Sequence, residues 1–163
     1  MAADSKIALG GGCHWCTEAV FQALKGVTKV EQGYVASTGE HSAFSEAVIV
    51  HFISEEIPLE RLIEVHLYTH NSTSNHSMRS KYRSAIYYFN FSQKVEAEKA
   101  LTTLQAYFSE KLITKVYPFG VFELSREEIR DYYIKNPEKP FCKTYIEPKL
   151  KLLLQQFSKE LRE

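Results

Sequence analysis

Short apolar runs, each ended by glycine or a polar cluster, alternate along the chain with stretches of helical spacing. The run KIALG (residues 6–10) breaks into Gly10, Gly11 and Gly12, the pattern of a short buried strand, and CTEAVFQALKG (residues 16–26) then reads as a helix stopped by Gly26. VTKVEQGYVAS (residues 27–37) alternates as a strand does. EAVIVHF (residues 46–52), rich in β-branched and aromatic side chains, is a stronger strand. PLERLIEVHLYTH (residues 58–70) opens with a proline suited to the first helical position and places Leu59, Leu62, Ile63 and His66 on one face. After the polar loop NSTSNHSMRSK come a strand RSAIYYF (residues 83–89) and a long helix over residues 92–112. Two further strands, ITKVYPF and GVFEL, precede Ser125, a suitable N-cap for a helix over REEIRDYYIKN, with Glu128 placed to close a capping box. A last helix runs from Pro148 to the end.

Interleaving of helices with strands in the order βαββαβαββαα predicts an α/β or α+β sandwich, a mixed sheet with helices packed on its faces. The 163 residues show no repeat, low-complexity tract or linker, so a single domain over residues 1–163 is expected. Apolar residues make up 44% and charged residues 25%, which excludes a disordered chain. Twenty basic residues balance twenty acidic ones, so no net field draws nucleic acid or an anionic membrane. The N-terminus lacks a basic segment followed by an apolar one and no run reaches membrane-spanning length; a cytosolic monomer is expected.

The chemistry concentrates in GGGCHWCTEAVF, where Cys13 and Cys16 are three residues apart. The strand, glycine turn and helix order puts Cys13 at a helix N-terminus, where unpaired N–H groups and the helix dipole favour a thiolate. Glycines before it allow close approach of a substrate, and Cys16 lies one helical turn further on, within reach for a disulfide. Three readings stay open on spacing alone: a redox pair, half of a zinc site, or two small apolar residues. The zinc reading needs further ligands; His14 or Cys142 are the candidates, and no second CxxC or HxxxH accompanies them. Within the redox reading, a thioredoxin-type disulfide exchanger is an alternative.

The segment GGCHWCTEAVFQALKGV followed by GY resembles the active-site segment of the methionine sulfoxide reductase A family, in the variety with a second cysteine three residues after the first. HNST, YRSAIYY, KNPEKPFC and IEPKLKLL match later family segments in the same order, so the resemblance spans nearly the whole chain. It implies a sandwich with a ferredoxin-like core and reduction of the S epimer of methionine sulfoxide, free or in proteins, with thioredoxin as reductant and no metal or organic cofactor. It implies Cys13 as nucleophile, Cys16 as the thiol that resolves the sulfenic acid, and Glu46 as the proton donor. Trp15 would line the pocket for the substrate methyl group and Tyr82 would hold the sulfoxide oxygen. Glu18 matches a glutamate that complements the helix dipole, and His70 is read as a cap or surface group at a helix end. Cys142, near the position of a recycling cysteine in many relatives, is read as structural because Cys16 makes it unnecessary.

Three departures from the family pattern stand out. His14 replaces the usual phenylalanine and gives the substrate pocket a titratable wall. Residues 34–46 are shorter than usual and lack a second substrate-holding tyrosine, with Tyr34 or His41 the candidate substitutes. The aspartate before the YRS element is absent, with Ser77 nearest in register. Two rival functions follow: a non-catalytic relative that binds methionine-containing segments, and a CxxC thiol–disulfide oxidoreductase.

Overall fold

The computed structural model describes residues 4–162. Its elements are β1 (Asp4–Gly10), α1 (His14–Gln22), β2 (Val27–Ala36), β3 (Ser45–Ile53), α2 (Leu59–Thr69), β4 (Ala85–Tyr88), α3 (Phe91–Leu104), β5 (Lys115–Pro118), β6 (Val121–Leu124), α4 (Tyr132–Lys135) and α5 (Glu147–Gln156). They follow in the order that the apolar pattern predicts. The six strands form one mixed sheet in the order β5-β4-β1-β3-β2-β6. Its centre, β4-β1-β3-β2, is antiparallel throughout, and α1 and α2 each cross over one intervening strand; this is the ferredoxin-like arrangement. β5 adds a parallel edge beside β4, and β6 an antiparallel edge beside β2.

Period-two alternation in β1 and β3 divides the core. Ile7, Leu9, Val48, Val50 and Phe52 face the helices and join Phe21, Leu62, Ile63, Ala97 and Leu153 in the main cluster. Each of the Val, Leu, Ile and Phe side chains contributes about 1.5–3 kcal/mol on burial. Ala8, Ala47 and Ile49 point to the opposite face, where Val35, Tyr87 and the rings of Phe89, Tyr117, Phe119 and Phe122 form a smaller cluster with no helix residue in it. All helices of the main core therefore lie on one side of the sheet. Among the described residues no helix is long and apolar enough to cross a membrane.

Four element boundaries differ from the sequence expectation. α1 ends at Gln22 rather than running to Gly26. α3 ends at Leu104 and closes in one 3-10 turn instead of continuing to residue 112, because the Gln105 side chain accepts from the Leu112 amide and donates to the Glu110 carbonyl, folding the chain back. The helix expected after Ser125 is split into a single turn (Glu127–Ile129) and α4. Among the described residues the Ser125 hydroxyl has no partner, and its amide instead extends the β2–β6 pairing by donating to the Gln32 carbonyl. Between the two pieces Asp131 adopts φ 54°, with its amide and that of Tyr132 donated to the Glu18 carboxylate. The last helix stops at Gln156, after a π-helical turn over Cys142–Ile146; the final residue of the expected helix, Glu163, lies outside the described residues.

The buried face of α2 carries His66, only 1% exposed. Its Nε2 donates to the Gly10 carbonyl at 2.7 Å, which ties α2 to the end of β1. Burial holds this imidazole neutral and lowers its pKa to about 4. The unfolded histidine titrates near 6.5, so between these values the unfolded chain binds the extra proton. Stability owed to neutral His66 is complete above pH 6.5 and is lost as pH falls to about 4, a change of about 3 kcal/mol. Denaturant unfolding at pH 7 and pH 4.5 should show a smaller loss in His66→Gln than in the unsubstituted protein; equal losses would remove His66 as the source.

Candidate active site

β1 ends in three glycines that deliver the chain to α1, and this turn is held from outside. His66 takes the Gly10 carbonyl, and Arg79 donates from Nη1 to the Gly11 carbonyl at 2.7 Å and to the Tyr82 carbonyl at 2.9 Å. The same guanidinium reaches the Ser74 and Asn71 carbonyls, so one side chain ties the loop after α2 to the turn. Gly11 has φ 155°, and a Cβ there would lie 2.5 Å from the His70 ring. His70 is the C-cap of α2, part-buried rather than on the surface: its Nδ1 donates to the His66 carbonyl of the last turn, so its Nε2 accepts from the Ser84 hydroxyl at 2.8 Å, which is 2.7 Å from the Thr114 hydroxyl.

Cys13 follows as the N-cap of α1, its carbonyl accepting from the amides of Cys16 and Thr17, both at 3.1 Å. Its half-buried thiol is held below the ordinary value, first by the Cys16 thiol donating to it and then by the Trp15 and Cys16 amides, against burial and the Glu46 carboxylate. Cys16 is raised for the complementary reason: its proton serves Cys13, and it is 5% exposed. Both cysteines are free thiols. Cys142 is fully buried and packs in one cluster with Cys16, Ala19 and Ile146; burial raises its thiol. Lys149 of α5 donates to the Thr69 carbonyl at the end of α2, and its charge favours ionisation of Cys16.

Glu46, 7% exposed, is the second residue of β3, after the buried Ser45. Its Oε1 accepts from the His14 amide at 3.1 Å and lies 3.5 Å from His14 Nε2, while Oε2 is 3.6 Å from Lys81 Nζ. The strand is joined to the loop that carries Tyr82 by the Glu46 amide and Ser45 hydroxyl donating to the Lys81 carbonyl. Lys81 Nζ sits 5.2 Å from the centre of the Tyr82 ring, and Tyr82 and Glu46 both raise its pKa. His14 is 3% exposed and turns inward, with Nδ1 2.8 Å from the Gly33 carbonyl and its ring 5.1 Å from that of Tyr34.

Trp15 projects to the other side. It stacks on Tyr132 at 4.1 Å and meets Phe141 edge-on at 5.0 Å, and its Nε1 has no hydrogen-bond partner among the described residues. Tyr132 is positioned through Glu18, 1% exposed, whose carboxylate accepts from the Gln32 side chain at 2.9 Å and from the amides of Asp131 and Tyr132. Glu18 lies beyond the first turn of α1, so its role is this tether and not the helix dipole.

The fold thus gathers Cys13, Cys16, His14 and Glu46 around the start of α1, with Tyr82 beside Glu46 through Lys81. Of the candidate substitutes for the missing tyrosine, Tyr34 lies against His14, and His41 packs on Tyr117 at 4.3 Å. Ser77 is exposed on a 3-10 turn. Arg79, Lys81, Tyr132 and Phe141 escaped the sequence reading as site residues; Arg79 and Lys81 lie in a polar loop with no periodicity, and Tyr132 and Phe141 lie in short helical turns where nothing local sets them apart from core rings. Among the described residues no group of three or more His, Cys, Asp or Glu is placed to hold a metal ion.

The model of the family described as peptide methionine sulfoxide reductase matches residues 5–161. The chain is 35% identical over 153 residues to the peptide methionine sulfoxide reductase MsrA of Pasteurella multocida, covering 85% of this chain and 88% of that protein. Its fold is similar to that of reduced Mxr1 from Saccharomyces cerevisiae, with a TM-score of 0.76, 24% identity, and coverage of 87% and 91% of the two chains. Mxr1 in complex with Trx2 is also similar, with a TM-score of 0.63 and 23% identity over 77% of this chain and 82% of that one.

Because the Cys16 thiol is the largest influence lowering Cys13, Cys16→Ala should raise the Cys13 pKa. The pH dependence of alkylation at Cys13, with Cys142→Ser as background in both proteins, measures this. A midpoint unchanged or lower in Cys16→Ala would show that the helix terminus alone sets it.

Proposed function

The chain belongs to the peptide methionine sulfoxide reductase family, and on that footing we propose that Cys13, Glu46 and Cys16 carry out its reaction in turn. The protein reduces methionine sulfoxide to methionine by thiol chemistry. The Cys13 thiolate attacks the sulfoxide sulfur while Glu46 delivers a proton to the oxygen. In net terms the oxygen passes to Cys13, leaving methionine reduced by two electrons and a Cys13 sulfenic acid oxidised by two. The Cys16 sulfur then attacks the Cys13 sulfur, water leaves, and the Cys13–Cys16 disulfide is reopened by an external dithiol.

The observation that carries this reading is the convergence of a depressed Cys13 thiol with a buried carboxylate and a second thiol at one helix terminus. The neighbouring Trp15, Tyr132 and Phe141 rings supply the apolar surface on which the methyl group of an S-sulfoxide would sit. The complex of the similar Mxr1 with Trx2 supports a thioredoxin as the dithiol. Cys142 touches the same cluster, yet Cys16 is one helical turn from Cys13 and already aims its thiol there, so Cys142 stays structural. Three free cysteines fit the reducing cytoplasm.

Thioredoxin-coupled consumption of reducing equivalents, run with each epimer of a methionine sulfoxide and with a disulfide substrate in parallel, tests the function. Turnover of the S epimer is expected; turnover of the disulfide alone would favour an exchanger, and no turnover a binding protein. Glu46→Gln should slow the single-turnover reduction by roughly 10²-fold while the Cys13–Cys16 disulfide is still reduced at the normal rate. Without reductant, the protein should release about one methionine per molecule and keep a Cys13–Cys16 disulfide. Cys16→Ser should still release that methionine, accumulate the sulfenic acid and lose thioredoxin-driven turnover. Peptide mapping that links Cys13 to Cys142 instead would reverse the assignment.

A further inference from the structure

We propose that His14 and Glu46 share one proton and that His14, acting through Glu46, recharges the carboxyl that protonates the sulfoxide. The inference rests on the reading of Glu46 as the acid. It begins with the ring orientation. Nδ1 lies 2.8 Å from the Gly33 carbonyl, and a carbonyl only accepts, so Nδ1 carries a hydrogen. The other nitrogen, Nε2, then faces Glu46 Oε1 at 3.5 Å in a site where the two residues are 3% and 7% exposed. With no proton between them, two lone pairs would confront each other away from water, an arrangement that a single shared proton relieves.

The remaining neighbours make the imidazole the one suitable partner. The His14 amide donates to Glu46 Oε1 at 3.1 Å but has no proton to release. The Lys81 ammonium stands 3.6 Å from Oε2 on an exposed side chain, and its charge opposes a second positive charge on His14. The Cys13 thiolate and Glu46 carboxylate disfavour each other's charge, so a dyad that carries one proton suits a nearby thiolate better than a bare carboxylate does. Tyr34 presents only a ring edge, 5.1 Å from the imidazole centre. Burial, the largest influence, and the Lys81 charge hold the imidazole below the ordinary histidine value against Gly33 and Glu46, so the neutral ring, with its hydrogen on Nδ1, presents the Nε2 lone pair to a proton shared with the carboxyl.

In the reaction the dyad gives its proton to the sulfoxide oxygen as the Cys13 thiolate attacks. Methionine and the Cys13 sulfenic acid form, and the dyad is left one proton short. The next proton from solvent enters at either partner. Closing the gap from 3.5 Å to hydrogen-bonding distance needs a movement of only a few tenths of an ångström.

The test is the pH profile of single-turnover sulfoxide reduction in the unsubstituted protein, His14→Gln and His14→Phe. Gln keeps a donor for the Gly33 carbonyl without titrating, and Phe keeps the ring volume. In both variants the fall in rate at high pH should begin at least one unit lower, a loss of about tenfold at pH values above both midpoints. Reduction of the Cys13–Cys16 disulfide should stay near the unsubstituted rate. A high-pH limb that does not move in either variant, with sulfoxide turnover intact, would overturn the dyad and leave the proposed function standing. Absence of turnover in the unsubstituted protein would instead overturn the function and the dyad's role in it. Nitrogen NMR of the His14 ring provides an independent measurement: Nδ1 should be protonated throughout and Glu46→Gln should shift the titration of Nε2, whereas an unprotonated Nδ1 sinks the assignment.

Discussion

The reactive centre depends on how the turn of three glycines at the end of β1 is restrained. Its first two carbonyls point into the protein, and each is taken by a cationic or neutral donor from a distant element: His66 of α2 for Gly10, Arg79 of the loop before β4 for Gly11. Glycine is required where the backbone passes the His70 ring at φ 155°. A turn left to itself would sample many conformations, and α1 would start at no particular place. Clamped, it sets the N-terminus of α1, and with it the amides that surround Cys13, against the carboxylate at the start of β3.

From that placement the electrostatics follow. A helix terminus offers unpaired N–H groups to whatever lies at its cap. Here a thiol and a carboxylate occupy it together: Trp15 and Cys16 amides serve Cys13, and the His14 amide serves Glu46. Two groups that favour negative charge compete for one positive end. The Cys16 thiol, which donates to Cys13, and the Lys81 ammonium beside Glu46 moderate that competition.

Buried polar groups behind the reacting residues give this arrangement its shape. Glu18 has no part in the electrostatics of the first turn; its carboxylate binds the amides of Asp131 and Tyr132 and interrupts what would otherwise be a continuous helix after Ser125. That interruption brings the Tyr132 ring under Trp15. One buried carboxylate thus exchanges a local preference for helix for an aromatic wall beside Cys13, since leaving it unpaired in the core would cost more than the lost turn of helix.

The sequence alone determined the order of strands and helices and the place of Cys13 after the glycine turn. Apolar period and glycine punctuation are local properties, and β1, α1, β3 and α2 each carry enough of them to be read directly; the family resemblance then implied roles for Cys13 and Cys16 in GGCHWCTEAVF and for Glu46 in FSEAVIV. Only the tertiary structure decided what surrounds those residues. The orientation of His14 toward Gly33 and Glu46 joins residues 14, 33 and 46 from three elements, and the tether from Glu18 spans more than a hundred residues to Tyr132. Arg79 and Lys81 sit in a polar loop whose pattern is that of any solvated segment, and His70 at the end of α2 has the spacing of a surface cap. Their roles come from the donors and acceptors that the sheet order β4-β1-β3-β2 carries to one end, and that pairing is a long-range outcome of burying the face of β1 and β3 which no local window contains.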